Sequence, residues 1–134
     1  MEQDLQIRKI TVWENYELVE ANKDRLVLTT KVTENSLNPY QSAHGGYLYT
    51  LCDSTAGRVT ALSGSLCVTL QASVNYLKEA RKNDTLTICG TLVHDGRSTK
   101  VVDVEITNEK EQKICEASFT MYVVRDLNAD KEAM

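Results

Sequence analysis

One stretch of the sequence, residues 38–57, contains residue types that could carry out hydrolytic chemistry. Gly45 and Gly46 open the clearest helical pattern in the chain, so unpaired N–H groups and the positive end of the helix dipole face outward there. Because neither residue has a side chain, a carbonyl oxygen or an anion could approach this backbone closely. A developing tetrahedral oxyanion requires this kind of environment.

Asp53 is the carboxylate of the same stretch and the only activated base that we find in it. With Leu48 at the centre of the apolar stripe and about 100° per residue, Asp53 lies about 140° round the helix, outside the stripe. An isolated helical aspartate is more often a solvated surface residue. Its distance from the glycine pair and its small neighbours favour a catalytic base instead. The neighbours expected on its face are Tyr49, Ala56, Gly57 and Thr60, which are mostly small and suggest that something such as a second subunit packs closely there.

The separation of Gly45 from Asp53 has a consequence for assembly. Eight residues of helix correspond to about 12 Å at a rise of ~1.5 Å per residue. A base and an oxyanion donor that serve one carbonyl must each lie ~3 Å from the reacting atoms, so one chain cannot supply both. An antiparallel partner helix could, and two-fold symmetry would then give two composite sites. We therefore expect a homo-oligomer, either a homodimer or a homotetramer built as a dimer of dimers.

The elements that must position these residues predict an α+β fold. The clearest helix covers residues 45–62, and a looser helical spacing covers residues 5–13. Strands are expected at residues 16–20, 25–33, 66–77, 85–94, 99–107 and 113–124. One early helix followed by antiparallel strands indicates a sheet wrapped around that helix, which in a small protein is a hotdog fold.

Two apolar patterns carry this prediction. On the helix, the stripe that should face the concave side of the sheet is Leu48, Leu51, Cys52, Thr55, Val59 and Leu62. On the third strand, the residues that should share one face are Leu66, Val68, Leu70, Ala72 and Val74. We expect one domain over residues 1–134, with residues 1–15 as an N-terminal extension and 125–134 as a frayed tail.

Composition excludes several classes of function. The chain has 134 residues, a formal net charge of −4 and a pI near 5.2, which argues against a nucleic-acid partner. No apolar run approaches the ~20 residues of a membrane span, and the acidic N-terminus is not a secretory signal, so we expect a cytoplasmic protein without a membrane partner. An anionic ligand would need a local basic cluster. The candidates, which could equally be solvated, are Lys78, Arg81, Lys82, Arg97 and Lys100.

Neither a metal nor a cofactor is expected. Cys52, Cys67, Cys89 and Cys115 lack zinc-site spacing and are interpreted as reduced, buried, apolar residues. Cys52 has no activating base in evidence, so core packing is favoured over a nucleophilic role. His44 has no second ligand nearby and is interpreted as a helix cap.

The spacing of Asn38, His44–Gly46 and Asp53 resembles the phenylacetyl-CoA thioesterase (PaaI-like) branch of the hotdog thioesterases. The resemblance covers about residues 25–124 and continues through residues 74–77, 84–86, 94–97 and 104–108. It implies a hotdog fold and hydrolysis of the thioester bond of an acyl-CoA to a free acid and CoA. The spaced motifs together are fairly specific, whereas His-Gly-Gly alone would be weak.

The resemblance also implies roles for single residues. Asp53 would act as general base or nucleophile, and the Gly45 N–H would polarise the thioester carbonyl. Asn38 would help to place the water or the sulfur, although an asparagine before a proline could simply form a turn. His44 would support the turn, and Thr69 would orient water near the aspartate.

Binding of substrate and CoA is assigned in the same way to Gly46 and to the Gly96-Arg97-Ser98 turn. One departure from the family pattern concerns the loop after Asn38. Relatives often have glycine where this chain has Gln41, so the loop could differ in shape and alter the choice of substrate.

The acyl group is not specified by the sequence. Tyr47, Tyr49 and Tyr76 could line an aryl or medium-chain pocket, but they fit the core or an interface equally well. Two other functions remain as alternatives. A non-catalytic acyl-CoA sensor on this fold would need an effector region, for which residues 1–24 are too short and too acidic. A hotdog hydratase or dehydratase would need a second histidine motif, which we do not find.

Overall fold

The computed structural model describes residue 7 and residues 9–128. The elements in chain order are β1 (Glu17–Ala21), β2 (Arg25–Lys31), a short 3-10 turn (Glu34–Ser36), α1 (Gly45–Leu62), β3 (Ser65–Tyr76), β4 (Thr85–Asp95), β5 (Thr99–Thr107) and β6 (Lys113–Asp126). The strands form a six-stranded sheet in the order β1-β2-β4-β5-β6-β3, and every neighbouring pair is antiparallel. The expected α+β plan, a sheet wrapped on one helix, is confirmed.

The helix has the predicted bounds because both of its ends carry local stop signals. At the start, the His44 side chain accepts a hydrogen bond from the Gly46 N–H at 3.0 Å, which satisfies one of the free donors of the first turn. At the end, Gly64 adopts a φ of 103°, a conformation that favours glycine and turns the chain into β3. The position of α1 is therefore fixed at both termini by its own sequence.

The apolar stripe of α1 faces the core as predicted, with one exception. Leu48, Leu51, Cys52, Thr55 and Val59 are buried against the sheet. Leu62 is 42% exposed, so its inclusion in the stripe was wrong. It is the last residue of the helix, where the axis has already passed the edge of the sheet's concave face.

The helix approaches the sheet most closely at Gly90 on β4. A Cβ atom at this position would lie 2.8 Å from Cγ2 of Thr55 and 2.9 Å from Cγ2 of Val59. Both side chains are fully buried, so neither can move aside cheaply. The absence of a side chain at Gly90 thus sets the distance between α1 and the sheet.

The alternation expected along β3 is interrupted by a bulge. Thr69 pairs with Met121 and Gln71 with Thr120, so Leu70 has no partner on β6 and the strand shifts by one residue. Ala72 and Val74 consequently pack against the core, whereas Leu66, Val68 and Leu70 are exposed. The prediction that these five residues share one face was wrong, because a one-residue shift reverses the side of the sheet.

Both termini differ from the sequence prediction. Ile7 and residues 9–16 contain no helix, and Leu5 lies outside the described residues. Instead, Ile10, Val12 and Trp13 pack against the core in an irregular segment. This segment is tied to the rest of the chain by the Thr11 N–H, which donates to the Asn35 carbonyl at 3.2 Å.

The C-terminal tail was expected to be frayed from residue 125 onward. Strand β6 in fact continues through Arg125 and Asp126, which pair with Leu66 and Ser65 of β3. Residues 129–134 lie outside the described part of the chain.

We predict that Gly90→Ala lowers the free energy of unfolding by about 1–3 kcal/mol, the usual cost of forcing a methyl group into a packed core. Urea unfolding followed by circular dichroism measures this. Thr55→Ser removes the nearer of the two methyl groups and keeps the hydroxyl that donates to the Leu51 carbonyl at 2.7 Å. The Gly90→Ala substitution should therefore cost less in a Thr55→Ser background. Equal costs in the two backgrounds would contradict the steric explanation.

Candidate functional site

The loop before α1 is held in a fixed shape by backbone contacts. The His44 N–H donates to the carbonyl of the buried Ser36 at 2.8 Å, and the Leu48 N–H donates to the His44 carbonyl at 3.1 Å. Together with the cap to Gly46, these bonds confirm that His44 caps the helix. They also fix the direction in which the first turn of α1 points.

Gly45 is the first residue of this turn. Its N–H has no hydrogen-bond partner among the described residues and is therefore available to an external acceptor. Gly45 lies in a groove that is also lined by Tyr40, Leu48, Tyr76 and Leu77. The backbone donor expected from the sequence thus opens onto an accessible and partly apolar surface.

Tyr76, at the end of β3, contacts Gly45 directly. Its hydroxyl donates to the Gly45 carbonyl at 3.1 Å, and its ring lies 3.7 Å from the place that a Cβ on Gly45 would occupy. From the sequence, Tyr76 could be a pocket, core or interface residue. The contact could not be found from spacing, because it joins residues on different elements.

Asp53 lies in a second groove, further along the same side of the helix. The hydroxyl of Thr69 on β3 donates to Asp53 Oδ1 at 2.7 Å. Gly57, Cys67 and Met121 line the same groove. The structure therefore brings Asp53 and Thr69 together, and the hydroxyl proton of Thr69 is committed to the carboxylate.

Along the seam between α1 and β3, the Gly45 groove lies at the first turn of α1 and the end of β3, whereas the Asp53 groove begins near the middle of the helix. Tyr49 lies between them on the helix, with its ring centroid 5.8 Å from that of Phe119. Burial raises the pKa of Tyr49, and the negative charge of Asp53 raises it further. The Tyr49 hydroxyl consequently stays protonated beside the carboxylate at neutral pH.

The three tyrosines considered for an acyl pocket have different environments. Tyr47 is only 2% exposed and belongs to the core, which is one of the alternatives that the sequence left open for it. Burial raises the pKa of Tyr76, whose ring remains about half exposed. Tyr49 and Tyr76 are therefore the two aromatic residues of this set that an acyl group could contact.

The small face expected around Asp53 is only partly open. Ala56 and Thr60 are fully buried within the chain, so they cannot pack against a second subunit as expected. Gly57 alone is open, because a Cβ there would meet nothing within 4 Å. The helical-wheel estimate failed because the sheet curls further round the helix than a flat sheet would.

The side chain of Asn38 is used within its own loop. Its Oδ1 atom accepts from the Tyr40 N–H at 2.9 Å and from the Ser42 N–H at 3.1 Å. A turn-forming role is therefore present, and the Nδ2 group is the part left for a ligand. Gln41 adopts a φ of 69°, so it keeps the left-handed backbone that glycine would adopt, at a cost of roughly 1–2 kcal/mol.

The cysteines do not supply a nucleophile. Cys52 and Cys115 are fully buried with their Sγ atoms 3.7 Å apart. The hydrogen bond between them, and then burial, raise the pKa of the Cys52 thiol. Cys67 and Cys89 are half-buried rather than buried as predicted, and all four thiols are free.

Three of the five candidate basic residues form ion pairs within the chain. Lys100 is buried, and its Nζ lies 2.8 Å from Asp95 Oδ1 and 2.7 Å from Ser63 Oγ, so its interpretation as an open phosphate contact was wrong. Arg81 pairs with Glu79, and Lys82 pairs with Glu34.

Arg97 remains exposed at the tip of the β4–β5 turn. Gly96 is required by this turn itself, because a Cβ would lie 2.5 Å from the Thr99 carbonyl oxygen. The Ser98 carbonyl accepts from the Val123 N–H at 2.9 Å, next to the strand that carries Thr69. Within one chain, the turn does not contribute to the groove of Gly45 or to that of Asp53.

Two further searches gave negative results for residue 7 and residues 9–128. They contain no group of three or more His, Cys, Asp or Glu side chains that could hold a metal ion. None of their helices is long and apolar enough to cross a membrane.

The sequence matches the Thioesterase superfamily model over residues 40–115. It is 30% identical to the acyl-coenzyme A thioesterase PaaI of Escherichia coli K12 over 98 residues, which are 73% of this chain and 70% of the relative. A hypothetical thioesterase of Streptococcus pneumoniae, solved with coenzyme A, is 48% identical and superimposes with a TM-score of 0.89 over 91% of this chain and 98% of that one.

Two further structural comparisons bear on the site. The pneumococcal protein has also been solved as two alanine variants, one at an aspartate and one at a threonine sixteen positions further along, with TM-scores of 0.87 and 0.88. A Streptococcus mutans protein bound to acetyl CoA is 48% identical, with a TM-score of 0.83 over 90% of this chain and 97% of that one. The chain therefore belongs to the thioesterase superfamily, as a PaaI-like hotdog thioesterase.

Proposed function

We propose that this enzyme hydrolyses the thioester bond of an aryl- or medium-chain acyl-CoA, with Asp53 as its catalytic carboxylate and the Gly45 N–H as its oxyanion donor. The observation that carries the proposal is the Asp53 carboxylate, held by the Thr69 hydroxyl at 2.7 Å in an open groove. A carboxylate in this setting has one oxygen oriented and the other free to take a proton or to attack a carbonyl.

The chemistry follows from these two groups. The Gly45 N–H binds the thioester oxygen as negative charge develops on it. In the general-base route, Asp53 removes a proton from water, the water oxygen attacks the carbonyl carbon, and the C–S bond breaks to release the CoA thiolate, which takes up the proton. In the nucleophilic route, Asp53 itself attacks the carbonyl carbon, the C–S bond breaks to release the CoA thiolate, and water then hydrolyses the mixed anhydride to the free acid and restores the Asp53 carboxylate. Thr69 orients the carboxylate in both routes, and the Asn38 Nδ2 group is available to the water or the sulfur.

The position of β3 supports a site shared between two chains. β3 is an edge strand, and its exposed apolar residues Leu66, Val68 and Leu70 would be covered by a second copy. Tyr76, the last residue of this strand, contacts Gly45, and Thr69, closer to the middle of the strand, contacts Asp53. Two β3 strands that pair antiparallel about the point midway between Thr69 and Tyr76 would therefore bring each Gly45 beside the partner's aspartate.

The same contacts indicate where the two-fold axis would cross the strand and the helix. On β3 it falls at Ala72 and Ser73, midway between Thr69 and Tyr76. On the helix it falls at Tyr49, midway between Gly45 and Asp53. The two-fold axis would thus pass close to the Tyr49 side chain, and one tyrosine from each chain would separate the two sites.

The comparisons support the substrate class. Coenzyme A and acetyl CoA are bound to two proteins that are each 48% identical to this chain. The aspartate and threonine replaced in the pneumococcal variants have the same spacing as Asp53 and Thr69, which are sixteen positions apart. Gly46 and the turn of Gly96, Arg97 and Ser98 would contact the CoA portion.

The acyl group is assigned from the aromatic residues of the seam. Tyr49 packs on Phe119, and the exposed ring of Tyr76 adds a second flat surface. Such surfaces suit an aryl or medium-chain group. We also propose a cytoplasmic location, since four free thiols are stable in a reducing compartment.

Asp53→Asn should lower kcat by about 10²–10⁴, the usual contribution of a positioned base. The amide oxygen can still accept from Thr69, so the fold and assembly should be retained. Hydrolysis of a panel of aryl-, short- and long-chain acyl-CoAs measures this and also identifies the acyl group. Asp103→Asn, an exposed carboxylate on β5, is the matched control. Near wild-type turnover by Asp53→Asn would refute the assignment.

Arg97→Ala should raise KM for acyl-CoA and weaken the dependence of KM on ionic strength, with little change in kcat. The reason is that a guanidinium that contacts a CoA phosphate stabilises the ground state and the transition state equally. Initial rates at several salt concentrations test this against Lys110→Ala, an exposed cation in the β5–β6 turn. If KM is the same as in the wild type at every salt concentration, Arg97 is an ordinary solvated residue.

The shared site is tested by mixing two inactive variants, Asp53→Asn and Gly45→Pro. Proline is tolerated at the first helical position and removes the N–H donor. In a mixed dimer one composite site is wholly wild type, so random pairing should restore up to about a quarter of wild-type activity. Subunit exchange is verified with tagged chains. No recovery after verified exchange would mean that each chain carries its own site.

A further inference from the structure

Gly45 presents a difficulty that its proposed role does not by itself resolve. Glycine has the largest backbone freedom of any residue, and the first turn of a helix lacks half of its hydrogen bonds. An oxyanion donor is effective only if it is held within about 0.5 Å of its working position. Something outside the helix must therefore hold Gly45.

The contacts around the first turn identify what holds it. The bonds made by His44 hold the Gly46 N–H and join the loop to the Ser36 carbonyl, but none of them reaches the N–H or the carbonyl of Gly45 itself. The contact from Tyr76 is different, because it comes from the sheet. Its hydroxyl donates to the Gly45 carbonyl at 3.1 Å, and its ring packs over the open Cα of the glycine.

The anchor at Tyr76 is itself rigid. Its Cα is paired with that of Cys115 on β6, and Val74 on the same strand packs against the core. Tyr76 is thus a side chain on a fixed strand that reaches across the seam to a backbone with no side chain of its own. The hydrogen bond holds the Gly45–Gly46 peptide, and the ring packs over the Cα of Gly45, through which that peptide is joined to the one that carries the Gly45 N–H.

We infer that Tyr76 is a positioning residue that aligns the Gly45 N–H with the thioester oxygen. The inference rests on the proposed function, since it assigns a supporting residue to the same site. Tyr76 acts through Gly45, and its hydroxyl is already committed to the Gly45 carbonyl. Its loss should therefore affect the transition state, where the oxyanion forms, more than it affects substrate binding.

Tyr76→Phe tests the inference because it removes the hydroxyl and retains the ring. We expect kcat to fall about 3- to 10-fold, a part of the 10²–10³ that one oxyanion donor is worth, with KM within twofold of wild type. Tyr16→Phe is the matched control, since Tyr16 is 55% exposed against 53% for Tyr76 and its hydroxyl has no partner among the described residues. The control should leave both kinetic constants unchanged.

A binding measurement separates positioning from a purely structural role. Two unreactive analogues of phenylacetyl-CoA are compared by calorimetry: a ketone in which CF₂ replaces the sulfur, which hydrates to a tetrahedral adduct and so mimics the oxyanion, and a thioether that lacks the carbonyl oxygen. Tyr76→Phe should weaken the ketone about 3- to 10-fold more than the thioether, because only the ketone can accept from the Gly45 N–H. Equal effects on the two analogues would overturn the inference, as would an unchanged kcat.

Failure of this inference is distinguishable from failure of the proposed function. Asp53→Asn is assayed in parallel on the same substrates. If it abolishes turnover while Tyr76→Phe behaves as wild type, only the role of Tyr76 is refuted. If Asp53→Asn remains active, the proposed catalytic site is refuted whatever Tyr76→Phe does. Should Tyr76→Phe lower the thermal unfolding temperature, the ratio of ketone to thioether affinities in the folded protein still decides.

Discussion

The seam between helix α1 and the edge strand β3 determines where Gly45 and Asp53, the two main groups of the proposed site, lie. One hydroxyl crosses the seam at each of them, from Tyr76 to the Gly45 carbonyl at 3.1 Å and from Thr69 to Asp53 at 2.7 Å. The depth of the helix in the sheet is set separately, by the missing side chain of Gly90. Gly90 therefore fixes the distance of the helix from the sheet, whereas the two hydroxyls fix the position of the helix along the strand.

The sequence was sufficient to predict features that depend on local chemistry. The helix begins and ends where predicted because a capping histidine and a left-handed Gly64 stop it at each end. Features that depend on register could not be predicted. The bulge at Leu70 reverses the side on which β3 places its apolar residues, and no residue type in the strand signals it. The contact of Tyr76 with Gly45 follows from that register, so it was equally hidden.

The loop around Asn38 illustrates how backbone strain is held next to a proposed site. Gln41 occupies a left-handed conformation at φ 69°, which an L residue with a side chain adopts only at a cost. The Asn38 side chain offsets this cost by accepting from two backbone N–H groups, those of Tyr40 and Ser42. Gln41 therefore presents a side chain from this loop while it adopts a left-handed backbone conformation that glycine favours.

The charge distribution bears on how an acidic protein could receive an anionic ligand. With a net charge of −4, the field of the whole chain repels phosphate groups at long range. Several cations are also neutralised locally; the ion pairs involve Arg25, Arg81, Lys82, Lys100 and Lys113. Long-range steering therefore cannot be the main source of affinity for a CoA ester. Short-range contacts must supply it: the open backbone of the first helical turn, the aromatic surfaces of Tyr49 and Tyr76, and an exposed cation such as Arg97. Such contacts depend on geometry more than on charge. The position of helix α1 along the edge strand β3 therefore matters more for this affinity than the net charge of the chain.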